Sequence, residues 1–220
     1  MKRFVISAIC LLSLIILQQY CLGAEVRKVL LRDKTELLYI KDTTAKSFKM
    51  SFYMRFGPFL ETKQTQGISR ILGYQMKAYM EKKINFPSTA KLVFNQGYTG
   101  FEVGEVDTNF VIGFMRMVYR EAIGDSVLFR QSYQKAYDDW MRMSKPNEFQ
   151  RKFEGSIWEE NVFKIFPTTP QNLKDSLTFQ ELKNFYQAYI LPPNSLLIIT
   201  GPIESQEFID QVSAYMPAVS

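Results

Sequence analysis

Residues 56–80 read FGPFLETKQTQGISRILGYQMKAYM and contain the helix around which the rest of the chain is arranged. From Gly67 onward, apolar residues recur at steps of three and four, which is the period of one face of an α-helix. This face is predicted to be core, and its members are Ile68, Ile71, Leu72, Met76 and Met80, with Tyr79 beside them. The opposite side, which is expected to face a cleft or water, carries Arg70, Gly73, Tyr74 and Lys77.

Gly73 is unusual at this place, because a glycine in mid-helix costs about 1 kcal/mol relative to alanine. Such a glycine indicates either that another group comes close to the helix or that selection for a side chain is weak there. Both interpretations stay open from the sequence.

The segment that leads into this helix resembles the start of the pitrilysin/insulinase family of zinc metallopeptidases. The resemblance is carried by Gly57-Pro58-Phe59-Leu60-Glu61, by Gly67, and by the run ISRILGY that follows, with no gap in the spacing. Family members, also called inverzincins, carry H-x-x-E-H on this helix, with two zinc-binding histidines and a glutamate general base. The resemblance places those three functions on Arg70, Gly73 and Tyr74.

None of these three residues can perform the family's chemistry. Arginine keeps its proton, glycine has no side chain, and a tyrosine phenol with a pKa of about 10 is a poor zinc ligand at neutral pH. The chain has no histidine, and both cysteines lie within residues 1–24. The family's third ligand, a glutamate on a later helix, falls near Arg142, with Asp138 and Asp139 about one turn away. We therefore predict no catalytic residues at the motif and no zinc or other metal cofactor.

Residues 1–24 have the features of a secretory signal peptide: Lys2 and Arg3, an apolar run, and Leu22-Gly23-Ala24 as a cleavage site. The apolar run is shorter than the roughly 20 residues of a membrane-spanning helix, so cleavage is preferred over an uncleaved anchor. Lipidation at Cys21 is disfavoured because the preceding Tyr20 is bulky. The sequence thus predicts a periplasmic or secreted protein without stable membrane insertion, in which residues 25–220 form a single pitrilysin-like domain.

The formal net charge of +5 is spread along the chain, without a basic stripe interleaved with stacking aromatics. Nucleic acid is therefore not an expected partner.

The pattern of the remaining chain predicts an α+β fold with a mixed, mostly antiparallel sheet and helices packed on one face. Predicted strands are residues 26–31, 36–39, 47–56, 98–106, 109–114 and 195–200. Predicted helices, besides the one described, are a short one after Phe86-Pro87-Ser88, then 115–123, 128–143, 148–166, 178–190 and one that begins at Ser205. The helix at 178–190 begins with a capping box, Thr178-Phe179-Gln180-Glu181.

In the family that the chain resembles, an extended substrate peptide pairs with an edge strand of the sheet. The resemblance assigns this strand to Thr99, Gly100, Phe101, Glu102 and Val103, where Gly100 and Gly104 allow a second backbone to approach. Pairing of this kind needs only main-chain groups, so it can persist without the metal. The alternative is an ordinary twisted edge strand.

The resemblance covers roughly residues 26–217 and only one of the two homologous domains that family enzymes use to enclose a peptide. We therefore expect association with a second pitrilysin-like chain, as a homo- or hetero-oligomer. Three functions remain open: an inactive subunit that pairs with a zinc-bearing partner in peptide degradation or processing, a stand-alone module that binds extended peptides, and an active peptidase with an unrecognised site.

Overall fold

The computed structural model describes residues 25–62, 65–84, 86–87, 89–143 and 177–215. The predicted signal peptide and the predicted helix at 148–166 lie outside these residues. Six strands are described, β1 (Val26–Leu30), β2 (Glu36–Lys41), β3 (Phe48–Met54), β4 (Lys91–Phe94), β5 (Thr99–Val106) and β6 (Ser195–Gly201). Five α-helices are described, α1 (Ile68–Lys83), α2 (Thr108–Arg120), α3 (Ser126–Met143), α4 (Phe179–Tyr189) and α5 (Ser205–Tyr215).

The six strands form one sheet in the order β1-β2-β6-β3-β5-β4. The pair β2 and β6 is parallel and all other neighbours are antiparallel, so the sheet is mixed and mostly antiparallel. The predicted α+β class, with helices packed on one face of such a sheet, is confirmed.

The core lies between the helices and one face of the sheet, because buried side chains recur every three to four residues in a helix and every second residue in a strand. Along β3, Phe48, Met50, Phe52 and Met54 are buried, while the intervening residues are partly or fully exposed. The predicted apolar face of α1 is confirmed, because Ile68, Ile71, Leu72, Met76 and Met80 are all at most 1% exposed.

The capping box predicted at the start of α4 is also confirmed. Thr178 accepts a hydrogen bond from the main-chain N–H of Glu181, and the Glu181 carboxylate accepts one from the N–H of Thr178, which completes the predicted capping box. Among the described residues, no helix combines the length and the apolar character that a bilayer crossing requires.

Two predicted elements are wrong. Residues 109–114, predicted as a strand, belong to α2, which begins earlier than the helix predicted at 115–123. Asp107 starts α2, because its side chain accepts a hydrogen bond from the N–H of Phe110 at 2.7 Å. The short helix predicted after Phe86-Pro87-Ser88 is also wrong, since Lys91–Phe94 is a strand paired with β5.

Candidate functional site

Glu61 fixes the N-terminus of α1, the helix on which the resemblance places the motif positions Arg70, Gly73 and Tyr74. Its carboxylate accepts hydrogen bonds from the main-chain N–H of Gly67 at 2.7 Å and of Ser69 at 3.0 Å, and from the Ser69 hydroxyl. Gly67 has a φ of 85°, a left-handed conformation that glycine adopts without strain. The spacing from Glu61 to Gly67 therefore has a structural role, because it anchors and orients the helix.

The pKa of the Glu61 carboxyl is raised by burial, even though the Ser69 hydroxyl and the N–H groups of Gly67 and Ser69 act to lower it. The desolvation of this side chain, which is only 5% exposed, outweighs the hydrogen bonds that favour its charged form.

The three motif positions converge on one aromatic ring, that of Phe94 at the end of β4. The guanidinium carbon of Arg70 lies 4.5 Å from the centroid of the Phe94 ring, and the Tyr74 ring centroid lies 5.5 Å from it. A Cβ atom at Gly73 would meet the Phe94 Cε1 at 2.7 Å and the Thr99 Cγ2 at 3.2 Å. Gly73 is therefore buried under Phe94, and of the two interpretations offered for it, close approach of another group is the one observed.

Helix α3 borders the other side of these positions. Burial lowers the pKa of the Arg70 guanidinium, while the charge of Asp139 and then that of Glu61 raise it. The Lys135 ammonium lies 5.1 Å from the centroid of the Tyr74 ring. The side chain of Arg142, near which the resemblance places the family's third ligand, is 74% exposed and forms an ion pair with Asp139. Asp139 and Lys135 are therefore two α3 residues that act on the motif positions.

The residues present do not suit the zinc ion that the resemblance implies. Arg70 and Tyr74 occupy the positions to which the resemblance assigns the histidine ligands, and the Phe94 ring packs against both and against Gly73. Within residues 25–62, 65–84, 86–87, 89–143 and 177–215, no group of three or more His, Cys, Asp or Glu side chains is placed to hold a metal ion. We derive no catalytic step through zinc at this position.

The expectation that residues 99–103 form the sheet edge is wrong. Strand β5 lies between β3 and β4, and β4 pairs with it at Thr99, Gly100, Phe101 and Glu102. A Cβ at Gly100 would lie 2.3 Å from the Tyr53 Cδ1, so a neighbouring side chain explains this glycine. Thr99, Phe101 and Val103 are buried, and the Glu102 carboxylate accepts a hydrogen bond from the Tyr53 hydroxyl at 2.9 Å. A peptide-binding role for these five residues stays a prediction, but their strand is internal.

The edge of the sheet on this side is β4. The Asn95 N–H donates to the Tyr98 carbonyl at 2.9 Å, which makes that pair a hydrogen-bonded one. Because hydrogen-bonded and non-hydrogen-bonded pairs alternate along an antiparallel ladder, the main-chain groups of Leu92 and Phe94 point away from β5. Among the described strands, none pairs with this outer side.

Sequence reasoning missed Phe94 and Lys135 as members of the site. The sequence points to Phe94 only indirectly, because Gly73 indicates that some group lies close to the helix but does not identify which residue it is. Lys135 lies on the same face of α3 as Asp139, four residues away, and no local pattern distinguishes it from an ordinary surface lysine.

Comparison with known proteins supports the fold of the chain but does not extend to its activity, substrates or partners. No family model and no curated protein matches the sequence. Solved structures do match: a protease from Helicobacter pylori, with a TM-score of 0.70 at 12% identity over 88% of this chain, and the periplasmic protease PqqL from Escherichia coli, with 0.68 at 12% over 90%. Pitrilysin matches with a TM-score of 0.66 at 14% identity over 87% of the chain.

The described part of the chain therefore has the fold of a pitrilysin-type peptidase domain. The chain spans 50%, 25% and 22% of the lengths of these three structures, respectively.

Proposed function

We propose that this chain is a catalytically inactive homologue of the pitrilysin-type peptidases, which acts as the non-catalytic partner of a zinc-bearing chain in peptide degradation or processing. The observation that carries the proposal is the packing of Phe94 against Arg70, Gly73 and Tyr74. The resemblance assigns the family's zinc ligands and general base to these three positions, and the three positions contact an aromatic ring of the same chain.

Two further considerations concern the location and the kind of the partner, and both come from the solved structures that the chain resembles. One of those structures is a periplasmic protease, which agrees with the secretory signal that residues 1–24 indicate. The partner is expected to be a second pitrilysin-like chain, because such domains assemble by repetition of one architecture.

Co-purification tests this proposal. The tagged chain is isolated from the envelope fraction of its own host, and the proteins that accompany it are identified by mass spectrometry and assayed for peptidase activity. The expected result is an equimolar chain with an intact H-x-x-E-H motif, and zinc-dependent cleavage by the pair only. Stoichiometric zinc and EDTA-sensitive cleavage in the purified chain alone would refute the assignment of an inactive homologue.

A second candidate function, a stand-alone module that binds extended peptides, is favoured by the outer edge of β4. The main-chain groups of Leu92 and Phe94 on this edge offer a peptide the hydrogen bonds of an added strand. This edge lies directly beside the altered motif, since Phe94 itself packs on α1. The same edge also serves a subunit that holds substrate for a catalytic partner.

A matched pair of variants tests pairing at this edge. Leu92→Pro and Leu92→Ala both lose the half-buried leucine side chain, but only proline removes the outward N–H. Proline is tolerated on edge strands, so both variants are expected to keep the sheet, as circular dichroism can verify. Peptide binding, measured with fluorescent extended peptides, is expected to survive in Leu92→Ala and to be lost in Leu92→Pro. Equal binding by the two variants would show that no strand is added at β4.

A further inference from the structure

The sheet has a second open edge, strand β1, on the side opposite to β4. The Leu31 N–H donates to the Thr35 carbonyl at 2.9 Å, and the Lys41 N–H donates to the Glu25 carbonyl at 3.0 Å. Because hydrogen-bonded and non-hydrogen-bonded pairs alternate between these two ends of the β1–β2 ladder, every second residue of β1 turns its main-chain groups away from β2. These residues are Val26, Lys28 and Leu30. Among the described strands, none pairs with this side of β1.

Two of the three residues also expose apolar side chains, since Val26 is 56% and Leu30 is 62% exposed. Both lie on the open face of the sheet, because their partners in β2, Ile40 and Glu36, alternate with residues that are buried in the core. An edge that combines free main-chain groups with exposed apolar side chains is a template for a further strand.

We propose that the strand added at this edge is β1 of a second copy of this chain, antiparallel to the first and related to it by a two-fold axis beside Lys28. In this register Lys28 faces the partner's Lys28, and Val26 faces the partner's Leu30 in the two symmetric positions. All the free N–H and C=O groups of the three residues are then paired. Every other two-fold register leaves Val26 or Leu30 without a counterpart among the three.

The charges along β1 make the dimer reversible. Like charges directly opposite each other destabilise a strand pair, which applies to Lys28 and the partner's Lys28. Each Lys28 ammonium lies 3.8 Å from the Glu36 carboxylate of its own chain, which offsets part of this repulsion. At both ends of the strand pair, the exposed Glu25 of one copy comes close to the exposed Arg32 of the other. A pair of five-residue strands is smaller than the interface of a stable complex, so the dimer depends on concentration.

This dimer goes beyond the proposed function and does not depend on it. Strand β4 and helix α1 with its motif positions are not part of the β1 edge. A sheet that continues through two copies keeps a β4 edge at each of its outer ends, so the proposed peptide site stays available in both copies.

Sedimentation equilibrium of the purified protein over a concentration series measures the dimer. Lys28→Pro removes the outward N–H at the axis, and proline is tolerated on edge strands, so this variant is expected to be folded and monomeric. Lys28→Thr keeps the N–H and removes the like charges, and it is expected to tighten the dimer by up to about fivefold. Leu92→Pro on β4 is the control for the other edge, and it is expected to dimerise as the unaltered chain does.

Disulfide formation tests the register. Both cysteines of the chain lie within residues 1–24 and are replaced by serine for this experiment. Lys28→Cys places two thiols directly opposite each other, with Cα atoms about 5.5 Å apart, which a disulfide spans. Val26→Cys is the matched control, because its two copies stand four residues apart along the strands, or about 13 Å. Mild oxidation is expected to yield a covalent dimer from Lys28→Cys and none from Val26→Cys.

The proposal is overturned if the protein is monomeric at every concentration up to about 1 mM, if Lys28→Pro dimerises as readily as the unaltered chain, or if Val26→Cys cross-links as readily as Lys28→Cys. A dimer that Leu92→Pro dissociates also overturns it, because the copies then join at β4. Circular dichroism spectra establish that each variant is folded before its association is interpreted.

Discussion

Replacing Gly73 by alanine tests whether the Phe94 ring packs against α1 at this position. Alanine is favoured over glycine in mid-helix by about 1 kcal/mol, which alone would stabilise the protein. The new Cβ, however, would stand 2.7 Å from the Phe94 Cε1 and 3.2 Å from the Thr99 Cγ2. Relieving such a clash in a packed interior costs about 1–3 kcal/mol. Gly73→Ala is therefore expected to lower the free energy of unfolding by up to about 2 kcal/mol.

The sign of this effect should reverse once the ring is gone. In a Phe94→Ala background the atoms nearest to the new Cβ are removed, and Gly73→Ala is expected to stabilise by up to about 1 kcal/mol. The coupling energy between the two sites is then about 1–3 kcal/mol, as is usual for residues in contact. Urea unfolding of the four proteins of this double-mutant cycle, followed by circular dichroism, measures it.

Gly113 provides the matched control, because it lies within α2 and a Cβ there meets nothing within 4 Å. Gly113→Ala is expected to stabilise by about 1 kcal/mol whether or not Phe94 is present. If Gly73→Ala behaves in the same way as Gly113→Ala in both backgrounds, the packing of Phe94 against α1 is refuted, and with it the observation that supports an inactive site.

Three further predictions concern the helix ends and a buried hydroxyl. Burial raises the pKa of the Glu61 carboxyl in the folded protein above its value in the unfolded chain. The stability that this difference contributes is fully present below the unfolded-state pKa and is lost as the pH rises through the folded-state pKa. Urea unfolding from about pH 4 to about pH 7 should show this loss of stability, and the loss should be absent in Glu61→Gln. Thr178→Ala removes the capping box and is expected to cost about 0.5–2 kcal/mol, whereas Thr178→Ser should cost little, and equal urea midpoints would contradict this. Tyr186→Phe removes the 2.6 Å hydrogen bond to the buried Val118 carbonyl and is expected to cost about 1–3 kcal/mol, so an unchanged midpoint would count against that bond.

Elements with a strong period or an explicit cap could be predicted from the sequence. The apolar face of α1 and the alternation along β3 are long enough to identify both elements, and the capping box marks the start of α4. Helix α2 was partly misassigned, because its first turns contain Phe110, Val111 and Ile112, whose side chains locally favour a strand. The helix forms because Asp107 caps it and because Val111, Ile112 and Phe114 are buried in the core.

The candidate site depends on contacts between distant parts of the chain, which is why the sequence did not reveal it. Strand β4 has four residues, too few for an alternating pattern to be distinctive. The resemblance places β5 at the edge of the sheet, and without a predicted strand at Lys91–Phe94 the sequence gives no position for Phe94. Only the packing of helices on the sheet brings Phe94 onto Gly73 and Lys135 onto Tyr74.

The order of strands in the sheet has a consequence for how the protein is made. Strands β2 and β3 are consecutive in the chain, yet β6 lies between them and pairs with both. Until Ser195–Gly201 has left the ribosome, a growing chain can form only two separate sheet fragments, β1 with β2 and β3 with β5 and β4. Pairings between residues so far apart in sequence form slowly. Among the described strands, β6 is the last to be made, so the sheet stays in two fragments until nearly the whole chain has been synthesised.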